Sequence, residues 1–372
     1  MKIVGGAVFC GDSFEVRDVG VQGDCFAPPL PDDTSLVDAA GCYVIPGLID
    51  IHFHGCVGYD FCDGTSEAFD AIGCYEAARG VTAICPATMT YPEATLGAIM
   101  SAAAAHADAP DAAALVGINM EGPFISEGKI GAQNPAYVQV PDAALFRRLQ
   151  AAAGGLIKLV DVAPEVEGAL AFIDAFHNEV RISVAHTCAD YATTTQAFLR
   201  GARHVTHLYN AMPPLHHRDP GVIGAAIDAK DVMVEVIADG VHIHPTMVRA
   251  AFTLFGDDKV VLISDSMMAT GLGDGAYSLG GQAVAVQGKR ATLADGTLAG
   301  SATDLAECLR VAVADMGIPF ASAVRAATIN PARALGIEGQ RGAIALGHIA
   351  DAVILNPDLT IKQVVVRGRV LR

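Results

Sequence analysis

The sequence predicts an α/β fold: a (β/α)8 TIM-like barrel joined to a small β-sandwich built from both chain ends. Three observations predict it. Short apolar runs alternate with helical windows through the middle of the chain, both ends are rich in short strands and turns, and His, Asp and Glu collect where the apolar runs stop. The runs number eight, at 44–51, 81–86, 115–120, 156–163, 182–185, 205–208, 232–238 and 260–264. Runs that are apolar on both faces suit parallel strands held between helices and a barrel interior. Eight repeated βα units favour a closed barrel over an open sheet.

A barrel takes roughly 250 residues, so a chain of 372 has room for additions. The ends supply one: residues 1–46 and 345–372 read as the sandwich, leaving 47–344 for the barrel. A second addition falls near 277–300, where two β-rich stretches, 283–286 and 291–293, read as a β-hairpin inserted after the eighth strand.

Composition narrows the function. Apolar residues make up 52% of the chain and charged residues 17%, a globular balance with a large core and not a disordered one. The net charge of −17 argues against a nucleic-acid surface, which needs a basic footprint. It leaves room for a locally basic pocket and an anionic small molecule. No apolar run is long enough for a membrane span. Residues 1–10 read as a first strand and not as a signal peptide, so the chain is expected to be soluble and cytoplasmic. Nine cysteines without a CxxC pair read as free thiols. Cys56 and Cys62 fall near the suspected site, but their spacing does not support ligation.

The chemistry lies at the strand ends. The first run leads into His52-Phe53-His54, the third ends at Glu121, and the fifth and sixth end at His186 and His207. Asn210 follows shortly, the seventh run leads to Asp239 and His242, and the eighth ends at Asp265. Barrel active sites occupy this face, so residues far apart in sequence converge there. Side chains in a strand alternate, so His52 and His54 point the same way and can share one ion. Imidazole and carboxylate together suit zinc or a similar divalent ion. A single His at a strand end is usually only hydrogen-bonded; His at three strand ends with acids at two more is hard to obtain by chance. Asp265 is expected to act as general base beside an activated water and then as general acid, with a helix cap as the bland alternative. His106, His177, His204 and His348 read as surface or structural residues, and His216 and His244 stay open.

Several stretches carry a resemblance. They are 46–55, 120–125, 131–135, 185–187, 202–221, 237–242, 264–266 and 298–301. The most specific is Thr-His-Leu-Tyr-Asn-Ala-Met-Pro at 206–213, followed by Arg218. Over nearly its whole length the chain resembles the amidohydrolase superfamily, and within it the N-acetylglucosamine-6-phosphate deacetylases. The resemblance implies a metal site of Glu121, His186 and His207, a second position at His52 and His54, and catalysis by Asp265. The ion would be zinc or iron(II), one or two per subunit. It also implies substrate contacts from Asn210, the Ala211 backbone, Arg218 and His242, the last two reaching the neighbouring subunit of a homodimer. Where some members carry a histidine that polarises the acetyl carbonyl, this chain has Gln133, whose amide can donate a hydrogen bond but carries no charge. The implied reaction is removal of acetate from N-acetyl-D-glucosamine 6-phosphate in amino-sugar metabolism. The alternatives are the galactosamine epimer, another amide or cyclic amide, and a catalytically dead binding protein on the same barrel. For Arg218, a surface ion pair with Asp219 is the competing reading.

Overall fold

The computed structural model describes residues 1–371 apart from 31, 32 and 34. Those three positions and 372, all inside the segments expected to form the sandwich, lie outside the described residues.

Eight parallel strands surround a central core: Leu48–Asp50, Val81–Ile84, a third in two pieces (Ala114–Leu115 and Ile118–Met120), Ile157–Val162, Arg181–Val184, His204–Val205, Met233–Ile237 and Val260–Ile263. The fourth to eighth pair in order with the second piece of the third. The gap between second and third strands is bridged at Ala87 and Asn119. The remaining seam closes where Asp265 N–H donates to the His52 carbonyl at 2.9 Å and His54 N–H to the Ser266 carbonyl at 2.7 Å. The barrel predicted from the apolar runs is therefore present. Along the eighth strand Val260 and Leu262 pack outward with the helices, whereas Val261 and Ile263 pack inward with Ile49, Ile51 and Leu159. Both faces are buried, which is why these strands show no alternation in sequence.

Two of the eight runs are subdivided. Residues in 44–51 serve two sheets. Tyr43–Pro46 pairs with Ala352–Leu355 and Ala7–Phe9, whereas Leu48–Asp50 pairs with Val81–Ile84 in the barrel. Gly47 is the crossing point, and a Cβ there would lie 2.1 Å from Thr82 Oγ1 and 2.9 Å from Asp351 Cβ. The third run breaks at Gly117, where a Cβ would lie 2.6 Å from Lys158 Cγ. In both places the chain bends where only a hydrogen atom fits, and hydropathy does not register the bend.

At the chain ends, a four-stranded sheet (Lys2–Val4, Val19–Gln22, Cys25–Ala27, Leu36–Asp38) faces a six-stranded one. The second contains Ala7–Phe9, Phe14–Val16, Tyr43–Pro46, Ala352–Leu355, Ile361–Val366 and Arg369–Val370. Ile3, Val21, Phe26, Val44, Ile354 and Val365 form their shared core. Phe14 stacks on Phe320 of the helix Phe320–Ala327 with ring centroids 4.9 Å apart, which ties this unit to the barrel's outer layer.

The expected hairpin near 277–300 is larger than a hairpin. Four antiparallel strands, Gly275–Leu279, Gln282–Gln287, Arg290–Thr292 and Leu298–Ser301, form a meander. The outer two are rich in Gly, Ala and Ser, so they lack the β-branched signal of the inner pair.

Gly47→Ala is expected to lower stability by about 1–3 kcal/mol through overpacking against Thr82. Denaturant midpoints of the two proteins check this, and an unchanged midpoint would show that the crossing has slack.

Candidate metal centre and catalytic cleft

The C-terminal ends of the strands turn sharply where the polar residues sit. His186, His207, Ala211 and Asp265 have φ of 42°, 29°, 49° and 49°. Non-glycine residues in this left-handed region cost about 1–3 kcal/mol each and persist where surrounding structure enforces them, often at functional sites. Here the turns direct the side chains inward over the barrel mouth.

Five of them meet. Glu121 Oε1 lies 3.0 Å from His186 Nε2, 3.2 Å from His207 Nε2 and 3.5 Å from His52 Nε2. Its Oε2 lies 3.3 Å from His54 Nε2. Asp265 Oδ1 is 3.4 Å from His54 Nε2 and 3.8 Å from His52 Nε2. Donor atoms of His52, His54 and Asp265 form one close group, and those of His52, Glu121 and His207 another. All six residues, counting His186, are buried.

The donor set fits a cation. His186 and His207 point their Nε2 atoms at each other across 3.1 Å. His186 Nδ1 faces the Lys129 carbonyl at 2.9 Å, which only an N–H can satisfy, so in the neutral ring Nε2 carries a lone pair. His52 repeats the pattern: Nδ1 is held by Glu235 Oε2 at 3.0 Å, and Nε2 is buried without a hydrogen bond. A carboxylate or carbonyl on the outer ring nitrogen is how metal-binding histidines are oriented. Lone pairs and a carboxylate converging on a closed space repel unless positive charge lies among them.

Glu235 was not singled out from the sequence. It lies inside the seventh apolar run, accepts from both His52 and His204 at 3.0 Å, and also receives the His207 backbone N–H at 3.1 Å. Burial acts to raise this carboxyl, but His52 and His204 bring it down to about 2. His204, expected to be structural, is a fully buried neighbour of that carboxylate. The available signal was a lone Glu in an otherwise apolar barrel strand. Burial also acts to raise Glu121, and the surrounding histidines hold it well below the usual carboxylate range. Asp265 is held below its ordinary value in the same way, by His54 above all.

Above the cluster is a cavity of about 530 Å³. Its floor is His54, Glu121, His186, His207 and Asp265, and its walls include Lys129, Gln133, Asn210, Ala211 and His242. The last turn of the meander, with Asp295 and Thr297, overhangs it. Gln133 lies at the edge, but its side chain is engaged with the protein: the amide donates to Glu121 Oε2 at 2.7 Å and accepts from Thr90 N–H at 2.7 Å.

His242 lines the cavity of its own chain. Asp239 dictates this: its Oδ2 binds His242 Nδ1 at 2.7 Å, and its Oδ1 accepts the Val241 and His242 backbone N–H groups. Arg218 does not line the cavity. It is exposed, donates to His217 Nε2 at 2.7 Å, and makes no ion pair with Asp219 among the described residues. Cys56 and Cys62 belong to neither ligand group. His244 caps the helix Pro245–Phe255, and His216 packs on His217.

A parallel barrel with imidazoles and carboxylates converging at its C-terminal mouth defines a metal-dependent barrel hydrolase. Comparison with known proteins agrees. The Amidohydrolase family model matches residues 43–371. N-acetylglucosamine-6-phosphate deacetylase of Bacillus subtilis is 38% identical over 348 residues, covering 92% of this chain and 88% of that protein. N-acetylgalactosamine-6-phosphate deacetylase of Escherichia coli O157:H7 is 33% identical, covering 92% and 90%. Among solved structures, a mutant N-acetyl-D-glucosamine-6-phosphate deacetylase of Mycobacterium smegmatis, in complex with N-acetyl-D-glucosamine-6-phosphate, superimposes with a TM-score of 0.93. It is 33% identical, and the match covers 100% of this chain and 98% of that one. The chain belongs to the amidohydrolase family and is a hydrolase acting on carbon–nitrogen bonds. Family and donor cluster together indicate a divalent metal ion. Among the described residues no helix is long and apolar enough to cross a membrane.

Glu235→Gln leaves His52 and His204 competing for one acceptor. Metal affinity or turnover is expected to fall about 10–100-fold. Titrating metal into apoprotein and measuring turnover checks this; wild-type values for both would remove Glu235 from the role of orienting His52.

Proposed function

We propose that the protein hydrolyses the acetamido group of N-acetyl-D-glucosamine 6-phosphate, giving acetate and D-glucosamine 6-phosphate. The observation that carries this reading is the placement of Asp265 beside the Glu121–histidine cluster, on the floor of a cavity walled by Asn210, Ala211 and His242. Names of the similar proteins support the substrate class.

Glu121, His186 and His207 would hold one ion, and His52, His54 and Asp265 a second; zinc and iron(II) both suit these ligands. Such an ion supplies Lewis acidity, acidifying water and polarising a carbonyl oxygen. Asp265 takes the proton from water as its oxygen attacks the acetyl carbon. The same carboxyl then returns that proton to the departing nitrogen, which would otherwise leave poorly. Asn210, the Ala211 backbone N–H and His242 bind the sugar phosphate. Arg218, exposed and outside its own chain's cavity, would complete the phosphate site of a second copy in a homodimer, where its planar fork pairs bidentately with phosphate. The nine cysteines, all unpaired, suit a reducing compartment, and we place the enzyme in the cytoplasm.

The galactosamine epimer is the second reading, favoured by the similarity to the Escherichia coli enzyme. Acetate release from the two epimeric 6-phosphates separates them; the larger kcat/KM is expected for the gluco form. Strong turnover of a cyclic amide alone would sink both.

Asp265→Asn is expected to lower kcat about 100–10,000-fold, and retained full turnover would refute its role. Stripping metal with a chelator is expected to abolish turnover, with recovery on adding zinc or iron(II). Activity that survives verified metal removal would refute the metal centre.

A further inference from the structure

Glu121 supplies the carboxylate shared by the whole cluster, and its rotation about the terminal torsion decides which oxygen faces which histidine. That torsion is broad and soft in a free side chain. In this protein it is pinned. Gln133 Nε2 donates to Glu121 Oε2 at 2.7 Å, and Gln133 Oε1 accepts the Thr90 backbone N–H at 2.7 Å. The second bond fixes which way the amide points, since only its oxygen can accept from Thr90. The Met89 thioether lies 3.6 Å from Nε2, so the nitrogen faces protein atoms on both sides. The side chain is 3% exposed. Its backbone is held from above, because Gln282 Nε2 of the meander donates to the carbonyls of Ala132 and Gln133.

We infer that Gln133 is a positioning residue for the metal centre, one that fixes the Glu121 carboxylate rather than binding the acetyl oxygen of the substrate. With Oε2 engaged by the amide, Oε1 is the oxygen presented to His186 and His207 at 3.0 and 3.2 Å. An amide nitrogen donates and never accepts, so this contact stays favourable for an ionised carboxylate at every pH at which the enzyme works. A bond to a charged acceptor in a closed site is stronger than a neutral one. The same segment supports a second member of the cluster, since the Lys129 carbonyl holds His186 Nδ1 at 2.9 Å. Residues 129–133 thus act as a strap across two of the ligands, with Gln133 as its inner contact.

The inference rests on the metal centre proposed above, and the test separates the two. Metal-free wild type, Gln133→Met and Gln133→Ala are titrated with zinc against a chromophoric chelator, and thermal unfolding of the metal-free proteins shows that the variants fold. The methionine keeps the bulk of the side chain and removes its hydrogen bonds. Kd for zinc is expected to rise about 10–100-fold in both variants. KM is expected to stay within about twofold, and kcat to recover substantially at saturating zinc, as for a ligand support and not a substrate contact. Unchanged zinc affinity in the variants overturns the inference, whatever happens to turnover; a kcat loss that zinc does not relieve would then return Gln133 to the substrate. Failure of wild type to bind zinc or iron(II) at all would instead overturn the metal centre.

Discussion

Glu121 carries a charge at a depth where charges are costly, and the architecture of the cavity follows from how that charge is satisfied. An unpaired buried carboxylate costs several kcal/mol. Here five nitrogen atoms approach it, from His52, His54, His186, His207 and Gln133, none farther than 3.5 Å. They come from the ends of the first, fifth and sixth strands and from the loop after the third. No local segment could assemble this group; a closed barrel does so because all its strand ends face one mouth. The reciprocal dependence holds too. Two carboxylates confined among four imidazoles are stabilised by positive charge between them, and family and donor set together indicate a divalent ion to supply it.

Support for the cluster extends outward by defined contacts. Glu235 holds His52 and His204 and caps the His207 backbone, so one carboxylate of the seventh strand ties the ends of the first and sixth together across the barrel interior. Asp50, two residues before His52, accepts from the His52 N–H and from Ser264 Oγ beside Asp265. Burial raises its carboxyl to about 7, against the hydrogen bonds that favour the charged form. The walls come from inserted segments: the strap at 129–133 and the meander, joined through Gln282. Scaffold strands place the ligands, and loops shape the space above them, a division common in barrels.

Much of this was legible in the sequence, for identifiable reasons. Parallel strands buried on both faces leave continuous apolar runs, and polar residues that end such runs stand out; that is how His52, His54, Glu121, His186, His207 and Asp265 were found. The illegible parts are those where the signal is a single atom or a pairing choice. The split at Gly47 depends on Thr82 in another strand, whose Oγ1 would lie 2.1 Å from a Cβ at position 47. Glu235 was hidden because one acid does not alter the hydropathy of its run. His242 was identified as a site residue, but the contact that holds its ring in place comes from Asp239, three residues earlier. Gln133 was identified from its place in a motif, yet its partners, Thr90 and Glu121, are separated from it by 43 and 12 residues.

The seam between the eighth and first strands links fold and chemistry most directly. Asp265 N–H donates to the His52 carbonyl, and Ser301 N–H donates to the Asp265 carbonyl in turn. Asp265 is therefore tied by its backbone to a metal-ligand strand on one side and to the meander on the other. Its φ of 49° is what lets one residue make both backbone bonds and still turn its carboxylate into the cavity. A barrel seam that opened would separate the catalytic carboxylate from His52 and His54 at the same time as it exposed the core. Closure of the fold and assembly of the site share, at this position, the bond from Asp265 N–H to the His52 carbonyl.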